Sequence, residues 1–166
     1  MPLRMDSGLP RWDDRFCSTS VSAMDFPVVY ERKVRFSDSD AQAIVFNGNY
    51  LTYFDDAITD YLDALGVGWR DLHERGLDMV LGRVEIDFRS PGRFGDLLCT
   101  GARVAHIGTT SFTFELVTWE KGTERVVVRG KEIQVMVDHE TFEKTPVPDW
   151  FVDVIEAFEG RSVLRS

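Results

Sequence analysis

Between Asn49 and Gly66 the apolar residues fall at helical spacing. Tyr50, Phe54, Ala57, Ile58, Tyr61 and Leu65 form one stripe, the mark of a helix with a single buried face. At 100° per residue Asp56, Asp60 and Asp63 land opposite that stripe, and Asp55 falls at its edge. Gly66 supplies a C′ residue that ends the helix, and Asn47 and Asn49 are both candidates to cap its start. A long helix with so aromatic a face must be covered by something large. The rest of the chain reads as strands, so the cover is a sheet.

Those strands are read from period-two alternation. In 26–36, Val28, Tyr30, Val34 and Phe36 point one way and Glu31, Lys33 and Arg35 the other, with Arg32 breaking the inward set. Residues 69–75 read as a short extra turn or helix stopped at Gly76. Four strand runs follow. The first alternates Val80, Gly82, Val84, Ile86 and Phe88 against Leu81, Arg83, Glu85, Asp87 and Arg89, and Ser90-Pro91-Gly92 breaks it. The next covers 96–107. Gly108 leads into 111–119, where Phe112, Phe114 and Leu116 share a face, and Lys121-Gly122-Thr123 turns into 124–137, with Ile133, Val135 and Val137 in step. Trp150, Val154, Ile155 and Phe158 suggest a short closing helix that ends near Gly160. The expected class is α+β, one long central helix wrapped by an antiparallel sheet of about five strands. Residues 1–24 read as an N-terminal extension, 25–140 as the domain, and 141–166 as a C-terminal loop and short helix.

At 166 residues the chain is long enough for one domain with a real core. Its formal net charge of −9 argues against a general nucleic-acid binder, which needs a basic stripe. No apolar run approaches the ~18–20 residues of a membrane span. Cys17 and Cys99 are far apart and share no metal-like spacing with His73, His106 or His139, so metal chemistry has no support in the spacing. Cys99 sits in an apolar strand pattern as a core thiol, and the compartment is read as reducing, hence cytoplasmic.

Chemistry concentrates just before the helix. The stretch RFSDSDAQAIVFNGNYLTYFDDA carries Asp38 and Asp40 on an irregular segment that feeds the helix start. A carboxylate there can act as base or nucleophile, and the free N–H groups of a helix start can polarise a carbonyl. Phe36, Asp38, Asp40, Val45, Phe46, Asn49, Tyr50, Leu51 and Asp55 fall in register on a known signature. The segment resembles that of the 4-hydroxybenzoyl-CoA thioesterase family of hotdog-fold enzymes. One position departs, since the family's usual glycine is Ala43, and a loop needing positive φ there would strain an alanine. The later run Phe88-Arg89-Ser90-Pro91-Gly92-Arg93-Phe94-Gly95-Asp96 is similar to the same family's turn between strands.

The resemblance implies hydrolysis of acyl-CoA thioesters without a cofactor. It makes Asp40 the catalytic carboxylate, as nucleophile or general base, and Asp38 structural. The backbone N–H of Asn47 becomes the oxyanion donor, a role compatible with helix capping. Asp55 either meets a hydroxyl on the acyl group or pairs with an arginine. Tyr50 is a substrate-binding candidate, although its place on the buried stripe favours the core. Arg89 and Arg93 are candidates for the CoA phosphates. Phe36 and Ile44-Val45-Phe46 are expected to desolvate the site. The partners implied are acyl-CoA and further copies of the chain, a homodimer or homotetramer, with no nucleic acid and no membrane. Two other classes stay open: a dehydratase on the same fold, which usually carries a histidine in the site, and an acyl-CoA-binding or regulatory protein without turnover. The absence of G-x-S-x-G disfavours a serine hydrolase.

Overall fold

Alternation and helical periodicity translate directly into the elements of the computed structural model, which describes residues 25–165. The extension 1–24, with Cys17, lies outside the described residues. Strand β1 (Val28–Lys33) leads through a 3-10 turn (Phe36–Asp38) to helix α1 (Asn49–Leu65) and the short α2 (Trp69–Glu74). Strands β2 (Leu77–Phe88), β3 (Leu97–Ile107), β4 (Ser111–Glu120) and β5 (Val126–Asp138) follow, then α3 (Asp149–Glu159) and a two-residue β6 (Leu164–Arg165). The sheet order is β1-β3-β4-β5-β2, antiparallel throughout, with β6 running parallel to the end of β3. Strands β3, β4 and β5 are consecutive hairpins, and β2 crosses to the far side to pair with β5. That leaves β1 and β2 as the two edges.

The helix is covered as its stripe requires. Tyr50, Phe54, Ala57, Ile58, Tyr61 and Leu65 are all buried, together with Tyr53 and Leu62, and Gly66 closes α1 in the left-handed conformation at φ 76°. Phe112, Phe114 and Leu116 of β4 meet them from the sheet, within one hydrophobic cluster. The closest approach is at Gly130 of β5, where an added Cβ would stand 2.2 Å from Phe54 Cε2. Replacing Gly130 by alanine should therefore push the helix off the sheet and destabilise the fold by ~1–3 kcal/mol. Urea unfolding checks this, and an unchanged midpoint would contradict so tight a contact.

The sheet's other face is half apolar and half charged. Phe26 stacks on Trp119 over Cys99, Val117 and Val126. Burial pushes the Cys99 thiol up to about 11, as expected of a core cysteine. Beyond this patch, Arg103, Glu115, Lys131 and Glu85 lie in register across four strands, an alternating row in which Arg103 and Glu115 are 3.0 Å apart. Opposite charges directly across strands are favourable neighbours.

Two details differ from the alternation. Phe36 is 86% exposed, because the chain leaves the sheet after Lys33 and turns at Phe36–Asp38. Ile133 and Val135 stand on the face away from α1, while Glu132 and Gln134, in register with Phe114 and Phe112, face the helix. The C-terminal helix is no appendage, since Phe151, Val152 and Ile155 join the central core. Tyr61 Oη and the Val104 N–H both donate to Glu159 Oε1, at 2.9 and 2.8 Å.

Candidate active site

The segment between β1 and α1 is a closed hairpin. Ser39 bridges to Val45, the Asp40 N–H donates to Ile44 O at 2.9 Å, and the Ala43 N–H returns to Asp40 O at 3.0 Å. Ala43, at its tip, has φ 58°, so the loop does demand the left-handed conformation that glycine adopts more easily. The two acids of the hairpin differ sharply. Asp38 is buried and accepts Arg32 Nη2 at 2.8 Å and the Arg35 N–H at 2.7 Å. Burial opposes its charge, but those donors outweigh burial and hold the carboxyl below the usual range. Arg32, the residue that broke the inward set, lies over the Tyr53 ring and serves this buried acid.

Asp40 is only partly covered. Its Oδ1 accepts the Gln42 N–H at 2.8 Å, an Asx-type turn that fixes the side chain. Its Oδ2 has no partner among the described residues.

The helix entrance lies a few residues further on. Gly48 occupies the cap position and no side chain caps α1, contrary to the expectation for Asn47 or Asn49. Asn49 instead donates through Nδ2 to Asp38 O at 2.8 Å, fastening the helix start to the hairpin. The Asn49 N–H returns to Phe46 O, and Tyr50 and Leu51 donate to Asn47 O and Gly48 O. The N–H groups of Asn47 and Gly48 have no acceptor among the described residues. Such orphan donors at a helix start suit a developing oxyanion.

The second sequence motif packs on the first. Val45 N–H donates to Gly92 O at 2.9 Å, Ile44 bridges to Arg93, and Gly92 N–H donates to Tyr50 Oη at 3.3 Å. Tyr50 is therefore buried and committed to this joint, in edge contact with Tyr53 and Phe88. Arg125, which the sequence reading missed, pins the same turn: its Nη1 donates to Ser90 Oγ at 2.6 Å and Pro91 O at 3.0 Å. Arg89 pairs with Asp87, whereas the exposed Arg93 side chain has no partner among the described residues. Val45 is buried, but Phe46 is exposed, as are Phe88 and Phe94, so these rings surround the hairpin and turn without closing over them.

Asp55 lies on the exposed flank of α1, with burial and then the neighbouring Asp56 raising its carboxyl. Beside it sits a group the sequence did not reveal. Glu132 of β5 is 1% exposed, and burial first, then the charge of Asp55, pushes its carboxyl up to about 7. Gln134 Nε2 donates to Glu132 Oε2 at 3.1 Å, and Oε1 has no partner among the described residues. No signal marked it, because a glutamate in an alternating strand normally belongs to the outer face.

One long helix wrapped by an antiparallel sheet is the hotdog architecture, and its thioesterase relatives make the chain a thioester hydrolase. The chain belongs to the Thioesterase-like superfamily, whose profile matches residues 34–155. It is 28% identical over 122 residues to the 1,4-dihydroxy-2-naphthoyl-CoA hydrolase of Thermosynechococcus vestitus, covering 72% of this chain and 82% of that one. The acyl-CoA thioesterase YbgC of Haemophilus influenzae is 30% identical over 95 residues, 57% of this chain and 67% of its own. Among solved structures, a thioesterase of Thermus thermophilus complexed with coenzyme A and Zn superposes with a TM-score of 0.71 at 29% identity, covering 82% of this chain and 96% of that one. Among the described residues, no helix is long and apolar enough to cross a membrane.

Proposed function

We propose that the chain hydrolyses acyl-CoA thioesters to the free acid and CoA, with Asp40 as the catalytic carboxylate and the Asn47 amide as oxyanion donor. The observation that carries this is the unengaged Asp40 Oδ2 on a hairpin fastened to a helix entrance whose first N–H groups are unpaired. Asp40 either attacks the thioester carbonyl, expelling the CoA thiolate and leaving a mixed anhydride for water to cleave, or takes a proton from water that attacks directly. In both routes the carbonyl oxygen gains charge that the helix entrance stabilises, by ~3 kcal/mol for a well-placed donor. Arg93, exposed and without a partner among the described residues, is the cation proposed to meet a CoA phosphate, and Arg89 is partly occupied by Asp87. The retained carboxylate favours turnover over a binding role, and His73 and His139 lie at the opposite end of β2 from the Asp40 hairpin, which disfavours dehydratase chemistry. The buried Cys99 thiol accords with a reducing, cytoplasmic setting. The outer edge of β2, twelve residues long with Leu81 and Phe88 exposed, has no strand partner among the described residues, which supports edge-to-edge pairing of two copies.

The acyl group is proposed to be a hydroxylated aromatic, as in the 4-hydroxybenzoyl branch of the family. The support is the exposed rings around the hairpin, the acidic pair Asp55 and Glu132, and similarity to a hydrolase named for dihydroxynaphthoyl-CoA. An acid accepting a phenolic hydroxyl contributes ~1.5–3 kcal/mol, about ten- to a hundredfold in specificity. Steady-state thiol release from hydroxybenzoyl-, benzoyl-, butyryl- and palmitoyl-CoA tests both levels. We expect hydroxybenzoyl-CoA to lead palmitoyl-CoA at least tenfold in kcat/KM, with Asp55→Ala erasing its lead over benzoyl-CoA. Turnover led by butyryl or palmitoyl refutes the aromatic preference, and no turnover of any thioester refutes the hydrolase reading.

A further inference from the structure

Far from Asp40, the fold assembles three ligand-bearing side chains from three elements. His73 lies in the last turn of α2, Asp78 is the second residue of β2, and His139 directly follows β5. Gly76, at φ 71°, reverses the chain between α2 and β2, and its carbonyl accepts the His139 N–H at 3.0 Å, drawing the three together. His73 Nε2 stands 3.2 Å from Asp78 Oδ2, His139 Nδ1 stands 3.6 Å from the same oxygen, and all three ligand atoms lie within 4.8 Å of one another.

We propose that His73, Asp78 and His139 bind one divalent transition-metal ion of the zinc class, which clamps α2 and the segment after β5 to the start of edge strand β2. Three features separate this cluster from a simple ion pair. His139 Nδ1 is shut off from solvent and makes no hydrogen bond, and 3.6 Å is too long for one to Asp78. The two imidazoles stack at 3.9 Å between centroids, so both present a ring nitrogen to one carboxylate oxygen. That oxygen is steered, because Asp78 Oδ1 is held by the Met79 N–H at 2.8 Å, the outer hydrogen bond that orients a ligating carboxylate.

The spacing suits a small ion. Zinc bonds of ~2.0–2.2 Å in a tetrahedron set ligand atoms about 3.3–3.5 Å apart, and the separations to Asp78 bracket that range. A small splay of the stacked rings brings the third separation in and leaves the fourth position to water. Two imidazoles and one carboxylate suit zinc, cobalt or nickel and disfavour magnesium and calcium, which want oxygen. Both side chains are about 40% exposed, so the cluster lies at the surface, where a small ring movement opens His139 Nδ1 to an ion. Because the Asp40 hairpin hangs on the turn beyond the opposite end of β2, roughly 30 Å away by strand rise, the ion takes no part in thioester chemistry.

The test is zinc titration of untagged, chelator-treated full-length protein by calorimetry, with cobalt absorption as the spectroscopic readout and magnesium as the control. We expect one zinc per chain, a raised melting temperature on saturation, and no response to magnesium. His73→Gln and His139→Ala should each weaken zinc binding at least tenfold and remove the thermal shift, while Asp40→Asn binds zinc as the parent does. Turnover measured with and without zinc should agree within twofold. Less than half an equivalent bound by the parent, or zinc affinity within threefold of the parent in either histidine variant, overturns the site.

Discussion

Replacing Asp40 by asparagine is expected to leave the fold intact and lower kcat by about 10² or more. Asparagine keeps an oxygen to accept the Gln42 N–H, and the two backbone bonds that close the hairpin do not involve the side chain. What it loses is the negative, basic oxygen that, in the proposed mechanism, either attacks the thioester or accepts water's proton. Measured against the preferred thioester with deamidation excluded by mass, kcat within a few-fold of the parent would remove Asp40 from the catalytic role. Unchanged thermal unfolding in the same sample shows that any loss is chemical. Asp38→Asn should behave in the opposite way, because that buried acid faces the half-buried Arg32 and serves stability first.

The second large effect is on stability, and its sign follows from Glu132. Its carboxyl ionises at about 7 in the folded chain, against 4.5 in the ordinary state. Between those values the folded protein holds a proton that the unfolded chain has released, so stability falls as pH rises through this window and is flat above it. The total loss is roughly 3 kcal/mol. Glu132→Gln keeps the shape and the Gln134 contact but has nothing to ionise. Urea midpoints from pH 4 to 8 should show wild type and variant alike at the acid end and the variant more stable above pH 7. Parallel curves would mean that the buried carboxylate is solvated or paired with a cation after all.

The helix and most of the sheet were legible because each rests on local periodicity. The stripe from Tyr50 to Leu65 needs only 3.6 residues per turn, and the strands need only alternation. The signature resemblance assigned Asp38 a structural role and Asp40 the catalytic one, and the structure shows that Asp38 alone of the two is held by Arg32. What escaped was whatever depends on register between distant strands. Glu132 faces inward because β5 pairs Phe114 with it, and no window around Glu132 contains that fact. His73 and His139 meet only because β2 and β5 align Leu77 with Asp138. The helix cap was misread for a different reason: two asparagines suited the position, but Asn49 turned its amide to Asp38 O and left Gly48 there.

The joint between the Asp40 hairpin and the Pro91 turn has a kinetic meaning. Four contacts hold it: Val45 to Gly92, Ile44 to Arg93, Phe94 to Ala43, and Gly92 to the Tyr50 hydroxyl. They make two segments distant in sequence into one small rigid body attached to the helix start. The unfavourable backbone conformation of Ala43 is therefore imposed once, when the chain folds, and is not re-imposed at each encounter with substrate. In the proposed mechanism a carboxylate mounted this way needs little reorganisation to act on the thioester or its attacking water, so changes in the Pro91 turn are expected to slow chemistry even where they leave ground-state binding intact.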